Sequence, residues 1–184
     1  MSQAVELEPA ARPALPRNRT LAMLTRAMDR INSGLVALSM IAMVITAIIL
    51  TYAVVVRYVF RVPTDWQDDA TIFMLVGGIF FSCAYVQSFR GHIGIEAIAS
   101  LLPPAVNAAR MFVVDALSFL FCAFFSWKSW TLFHEAVRDG QVTDSMLALP
   151  LWIPYSMMAA GMTLLTLQIL LQLLARVMPE GDRA

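Results

Sequence analysis

Few side chains in this sequence could do acid–base, redox or metal chemistry, and those few are scattered. Its 184 residues include 13 acidic and 13 basic side chains, two His and two Cys. His92 and His134 are the pair that could hold a haem iron, which needs axial ligands converging inside a helical bundle. They stand at opposite ends of successive apolar runs, about one hydrocarbon thickness apart, so they cannot share one haem. Cys83 and Cys122 lie within apolar runs, where a thiol behaves as a small hydrophobe, and no Cys and His spacing resembles a metal site. Asp115 could carry a proton or an ion inside a membrane. It follows Arg110 by about one and a half helical turns, near the presumed membrane boundary, so it is read as a shallow structural acid. No nucleophile elbow, phosphate loop, zinc motif or paired acidic motif is present. No cofactor is expected, and no enzyme activity.

The elements around these residues are set by hydrophobicity. The chain is 59% hydrophobic and 14% charged, with a mean hydropathy of +0.70, which does not describe a water-soluble surface. The fold class is an all-α membrane protein of four transmembrane helices with short amphipathic in-plane helices. Formal net charge is zero and no polybasic region exists, so no nucleic acid partner is expected. Residues 1–20, interrupted by Pro9, Pro13 and Pro16, read as a disordered tail. Leu21, Leu24, Met28 and Ile31 recur at helical spacing, as in an amphipathic segment lying in the headgroups. Ile31 to Val56 then carries no charge, too long for the apolar core of a signal peptide, so it is a retained span. The membrane domain covers 21–178, with spans at about 33–58, 67–89, 105–133 and 147–175, each long enough to cross roughly 30 Å of hydrocarbon. Residues 179–184 form a second tail.

The connections carry most of the polar residues. Arg57 and Arg61 close span one where the helix dipole is negative, and Pro63 stops it. Thr64 to Gln67 fits a capping box that starts span two, with Asp65, Asp68 and Asp69 adding charge to its first turns. Trp66 suits an interfacial anchor. Gly78 and Ser82 form a small-xxx-small pair that lets another helix approach. Residues 93–102, followed by Pro103 and Pro104, read as a short helix on the membrane surface. Asp115, Ser118, Cys122, Ser126 and Ser129 form a polar or small stripe on span three, expected to face protein. Pro150 to Pro154 with Trp152 opens span four near an interface. Arg residues concentrate in the N-terminal tail, the second loop and the C-terminus, which places both termini in the cytoplasm. The loops around Trp66 and Asp139 then face outward and are acidic. Arg57 is expected to pair with Asp68 or Asp69 across the first turn.

Arg57-Tyr58-Val59-Phe60, Pro63, Trp66-Gln67-Asp68-Asp69, Gly91-His92-Ile93-Gly94-Ile95-Glu96 and Leu149-Pro150-Leu151-Trp152-Ile153-Pro154-Tyr155 occur in this order. Together with the four-span layout, they resemble the signatures of the small membrane subunit of TRAP transporters, the DctQ family, over roughly residues 30–175. Asp68, Asp69, Ile95 and Glu96 are conservative departures from the family pattern, and Ile72 stands where that pattern often has Arg. The resemblance implies a bacterial inner-membrane protein and a tripartite importer of an organic acid. In it a periplasmic substrate-binding protein delivers substrate to a large multi-span permease subunit driven by sodium. The small subunit is the static scaffold beside the large one, without catalytic or substrate-binding residues. Arg57, Arg61, Trp66, Asp68, Asp69, Gly78, Ser82, His92, Glu96, Asp115 and Trp152 are its candidate partner-interface or scaffold residues. Two other classes stay open: the small subunit of a tripartite tricarboxylate transporter, and a membrane anchor of a redox complex.

Overall fold

The computed structural model describes residues 19–62, 65–89 and 104–177. Helix α1 spans Arg19–Val55 and passes directly into a π-helical segment, Val56–Phe60; α2 spans Asp65–Ser88, α3 Pro104–Arg138 and α4 Trp152–Val177. All four are long and apolar enough to cross a membrane, and among the described residues there is no strand beyond one isolated bridge, Val142 to Pro150. The tails at 1–18 and 178–184, Pro63 with the Thr64 cap, and His92, Glu96 and the 93–102 surface segment lie outside the described residues.

The helices form a slab in the order α1, α2, α4, α3. Helix α2 packs along α1 on one side and α4 on the other, α4 packs along α3, and α1 meets α4 only briefly. The contact surfaces explain this. In lipid, apolar side chains gain nothing by leaving the solvent, so helices associate through small and polar residues that permit close approach. The described chain obeys that rule: its buried positions are largely Ala, Ser, Thr, Asn and Gln, while Ile48, Leu120 and Phe121 are among many large side chains facing out.

On α1 the buried positions Asn32, Ser39, Thr46 and Ala53 recur at every seventh residue, the spacing that keeps one seam against a neighbour in left-handed packing. At Gly161 of α4 the approach is tightest: a Cβ there would lie 2.7 Å from both the Cβ and the carbonyl oxygen of Phe80. Gly78 meets α1 instead, at Met43 and Ser39. The Gly78 and Ser82 pair therefore sits on α2 toward α1, while the α2–α4 crossing depends on Gly161, with Gly77 beside Met157.

Three boundaries differ from the sequence expectation. The amphipathic segment at 21–31 is continuous with α1 rather than a separate in-plane element. Its Leu21 and Met28 pack on Leu171, with Leu164 and Leu174 around them, while Leu24 and Ile31 remain exposed, so part of its apolar side is taken up by α4. With 37 residues, α1 is about 56 Å long and must project beyond the hydrocarbon. Helix α3 continues one turn past His134, and α4 begins only at Trp152, because residues 141–151 fold into a small hairpin.

Candidate partner-facing site

At one end of the slab a set of polar contacts ties all four helices together. The Arg57 guanidinium donates to the Asp68 carboxylate at 2.9 Å, joining α1 to α2, with both side chains about half exposed, at 54% and 50%. Its neighbour Asp69 accepts hydrogen bonds from the hydroxyls of Thr143, at 3.0 Å, and Ser145. Two adjacent carboxylates thus do separate jobs: one fastens α1 and the other fastens the α3–α4 hairpin.

The hairpin is shaped by its own sequence. Gly140, at φ +60°, ends α3 as the left-handed residue, and the Gln141 amide reaches back to the Ala136 carbonyl at 3.1 Å, the long bond of a Schellman ending. Thr143 and Leu149 then pair through Thr143 N–H to the Leu149 carbonyl, 2.8 Å, and Leu149 N–H to the Thr143 hydroxyl, 3.0 Å. Ala148 closes the turn in the left-handed region at φ 46°. At the tip Met146 is 92% exposed. Trp66 and Trp152 are exposed at this same end, where their rings can straddle a membrane interface. Arg61 ends the π segment in the left-handed conformation at φ 53°.

Within the membrane span, polar side chains join neighbours. Gln87 and Gln172 exchange bonds between α2 and α4, at 3.1 and 2.9 Å. Asn32, fully buried, donates to Gln168 across α1 and α4 at 3.2 Å. Thr163 of α4 meets Ser126, and the Trp130 indole N–H donates to it, each at 3.0 Å. Ser126 and Ser129 of the predicted α3 stripe are buried, and Ser126 faces α4. Such bonds contribute about 0.6 kcal/mol on average in membranes and rarely exceed about 1.7, so these five matter together.

These contacts also fix depth. Trp152 is level with the start of the uncharged run of α2, because Gly161 meets Phe80 and Gln172 meets Gln87. Thr163 lies about 16 Å below Trp152 along α4, close to the middle of a hydrocarbon layer of roughly 30 Å. Ser126 and Trp130 stand at that level on α3, so Lys128 between them does too. Lys128 is exposed, and the partner recorded for it among the described residues is the Trp127 ring, 5.5 Å from its Nζ. A lysine at this depth costs about 2.5–3.5 kcal/mol to insert, and a cation–π contact offsets about 0.5–2 kcal/mol of it. The Thr163 contacts therefore set Lys128 inside α3 and not at its end. Asp115 lies about 20 Å from Lys128 along α3, toward the other end, half-buried and about one and a half turns from Arg110, whose guanidinium donates to Asn107 at 2.9 Å.

The structure thus brings Arg57, Asp68, Asp69, Trp66 and Trp152 to one end, sets Arg61 beside them, and leaves Gly78, Ser82 and Asp115 apart from that group. Sequence reasoning passed over Thr143, Ser145, Gly161 and the Asn and Gln contacts. Gln and Asn count as uncharged, so a search for charge-free runs reads through them; their rarity on apolar helices was the available signal. Among the described residues no three of His, Cys, Asp and Glu converge on a metal-sized site. His134 stacks loosely with Trp130 and Phe133 near the hairpin end of α3.

A four-span slab with its polar residues spent on holding its own helices together is the architecture of a small membrane subunit. Residues 46–178 match the family described as tripartite ATP-independent periplasmic transporters, DctQ component, and the chain belongs to that family. It is a TRAP transporter small permease subunit. It is similar to the C4-dicarboxylate TRAP transporter small permease protein DctQ of Vibrio cholerae serotype O1, 27% identical over 164 residues, covering 77% of this chain and 69% of that protein. No solved structure matches the chain. The family match separates it from the tricarboxylate-transporter and redox-anchor alternatives.

Proposed function

We propose that this chain is the static scaffold of a tripartite importer, standing beside the large permease subunit while that subunit carries an organic acid across the bacterial inner membrane with sodium. The observation that supports the reading best is the cross-fastening of the slab at both ends and in its middle: Arg57 to Asp68, Asp69 to the hairpin, Ser126 to Thr163, and Gln87 to Gln172. An element that moved during transport would have to break several of these together. In this reading the Arg-weighted termini are cytoplasmic and the hairpin end faces the periplasm. There its acidic residues, among them Asp139 and Asp144, receive the substrate-binding protein.

The test is to lock the slab. With Cys83 and Cys122 replaced, Met43→Cys and Gly78→Cys place two thiols across the α1–α2 seam, where a Cβ at position 78 would lie 3.5 Å from the Met43 sulfur. Crosslinking them in proteoliposomes containing the large subunit and the binding protein should leave sodium-driven uptake within about twofold of the uncrosslinked rate. Abolished uptake would mean that these helices move, and flux through the small subunit reconstituted alone would equally end the scaffold reading.

A further inference from the structure

Among the described residues, the edge helix α3 packs on α4 with one side and leaves the other open. On the open side, Leu117, Phe121, Phe124 and Lys128 follow one another at spacings of four, three and four, with Leu132 about one turn further on, and all are exposed. That is the spacing of a heptad seam, the pattern that receives a second helix at a shallow crossing angle. The chain's single lysine stands in the middle of this seam.

We infer that this seam is an intramembrane docking surface for a membrane helix of another chain that presents an ionised Asp or Glu at mid-bilayer depth. The inference rests on the scaffold reading, in which that chain is the large permease subunit. Depth carries the argument. Along α3 Lys128 is about 10 Å from the exposed Glu135, the nearest charged residue toward the hairpin, and about 15 Å from Arg138 at the helix end, and the four-carbon stem of a lysine falls short of both. Its Cα–Cβ bond is tilted toward the helix N-terminus, away from the nearer boundary, so snorkelling works against the geometry. Intramembrane cations face a partner or a water-filled cavity. Here the surroundings are a helix ridge with Phe121 and Phe124 on one side and Leu132 on the other, which offers a second helix an apolar surface around one charge. Aromatic side chains are enriched in such recognition surfaces. The outer face of α1, the opposite edge, is aliphatic, with Ile41, Val44 and Ile48 exposed, as a lipid-facing helix would be. A lone lysine in a heptad seam also fixes register, since only one setting of the partner brings its carboxylate opposite.

The two subunits are co-expressed, and the small one is captured in mild detergent. Wild-type chain should recover the large subunit; failure here would defeat the scaffold reading by itself. Given recovery, Lys128→Leu and Lys128→Glu should each lower the ratio of large to small subunit at least tenfold, while Lys128→Arg holds it within about twofold. The unfolding temperature of the isolated Lys128→Leu chain should not fall, because the substitution removes a charge from an apolar surface. Full recovery with Lys128→Leu would place the lysine against lipid and overturn the inference. Zero-length crosslinking of the wild-type complex with a membrane-permeant carbodiimide keeps the test decisive should a variant misfold. An amide joining Lys128 to an Asp or Glu of the large subunit supports the seam, and its absence from a complex that otherwise crosslinks overturns it.

Discussion

Replacing Gly161 with Ala tests the packing logic most directly. The added methyl would lie 2.7 Å from Phe80 Cβ, 2.7 Å from the Phe80 carbonyl oxygen and 2.8 Å from its carbonyl carbon, where carbon contacts settle at about 3.5–4.0 Å. Two of the three atoms are backbone, so no rotamer change relieves the clash. The axes of α2 and α4 must part by about 1 Å, which weakens the dispersion contacts along the central seam of the slab. Overpacking of this kind costs about 1–3 kcal/mol. The better helix propensity of Ala returns up to about 1 kcal/mol, leaving a net loss of roughly 1–2 kcal/mol. For a chain of this size that lowers the unfolding temperature by about 2–8 °C. Gly34→Ala is the matched control, because nothing lies within 4 Å of its new methyl and it gains the same propensity. The assay is thermal unfolding in detergent, followed by circular dichroism. If Gly161→Ala melts at or above Gly34→Ala, the α2–α4 contact is not what holds the slab, and the reasoning fails. Adding Phe80→Ala should not rescue it, since the obstructing atoms remain.

Two further outcomes follow from the hairpin end. Arg57→Ala removes a half-exposed ion pair and should cost below about 1 kcal/mol, a deficit in unfolding temperature that shrinks as salt is raised; a large, salt-independent loss would show the pair to be shielded and structural. Ala148→Gly relieves a left-handed alanine, a strain of about 1–2 kcal/mol partly cancelled by the greater freedom of glycine in the unfolded chain. The variant should therefore unfold a degree or two higher, and a lower value would contradict the turn geometry.

Hydropathy alone determined the number of spans, because stretches of about twenty predominantly apolar residues have no other comfortable home than a bilayer, even where, as in span three, Asp115 and Lys128 interrupt them. Residue order also foretold the Arg57 and Asp68 bond: a short turn between two antiparallel helices leaves an arginine and a run of acids little choice of partner. The order of the helices in the slab was a tertiary matter. Which helix lies next to which depends on where small residues align across an interface, and Gly161 can be recognised as the contact point only once Phe80 is opposite it. The division of labour between Asp68 and Asp69 was equally hidden, since their chemistry is identical and their partners are 11 residues upstream and 74 residues downstream. Lys128 shows the difference most sharply. Its position in the sequence is ten residues from a helix end, which reads as an edge; the hydrogen bonds of Ser126 and Trp130 to Thr163 set it level with a residue about 16 Å below Trp152 on α4, because depth belongs to the packed helices and not to any one of them.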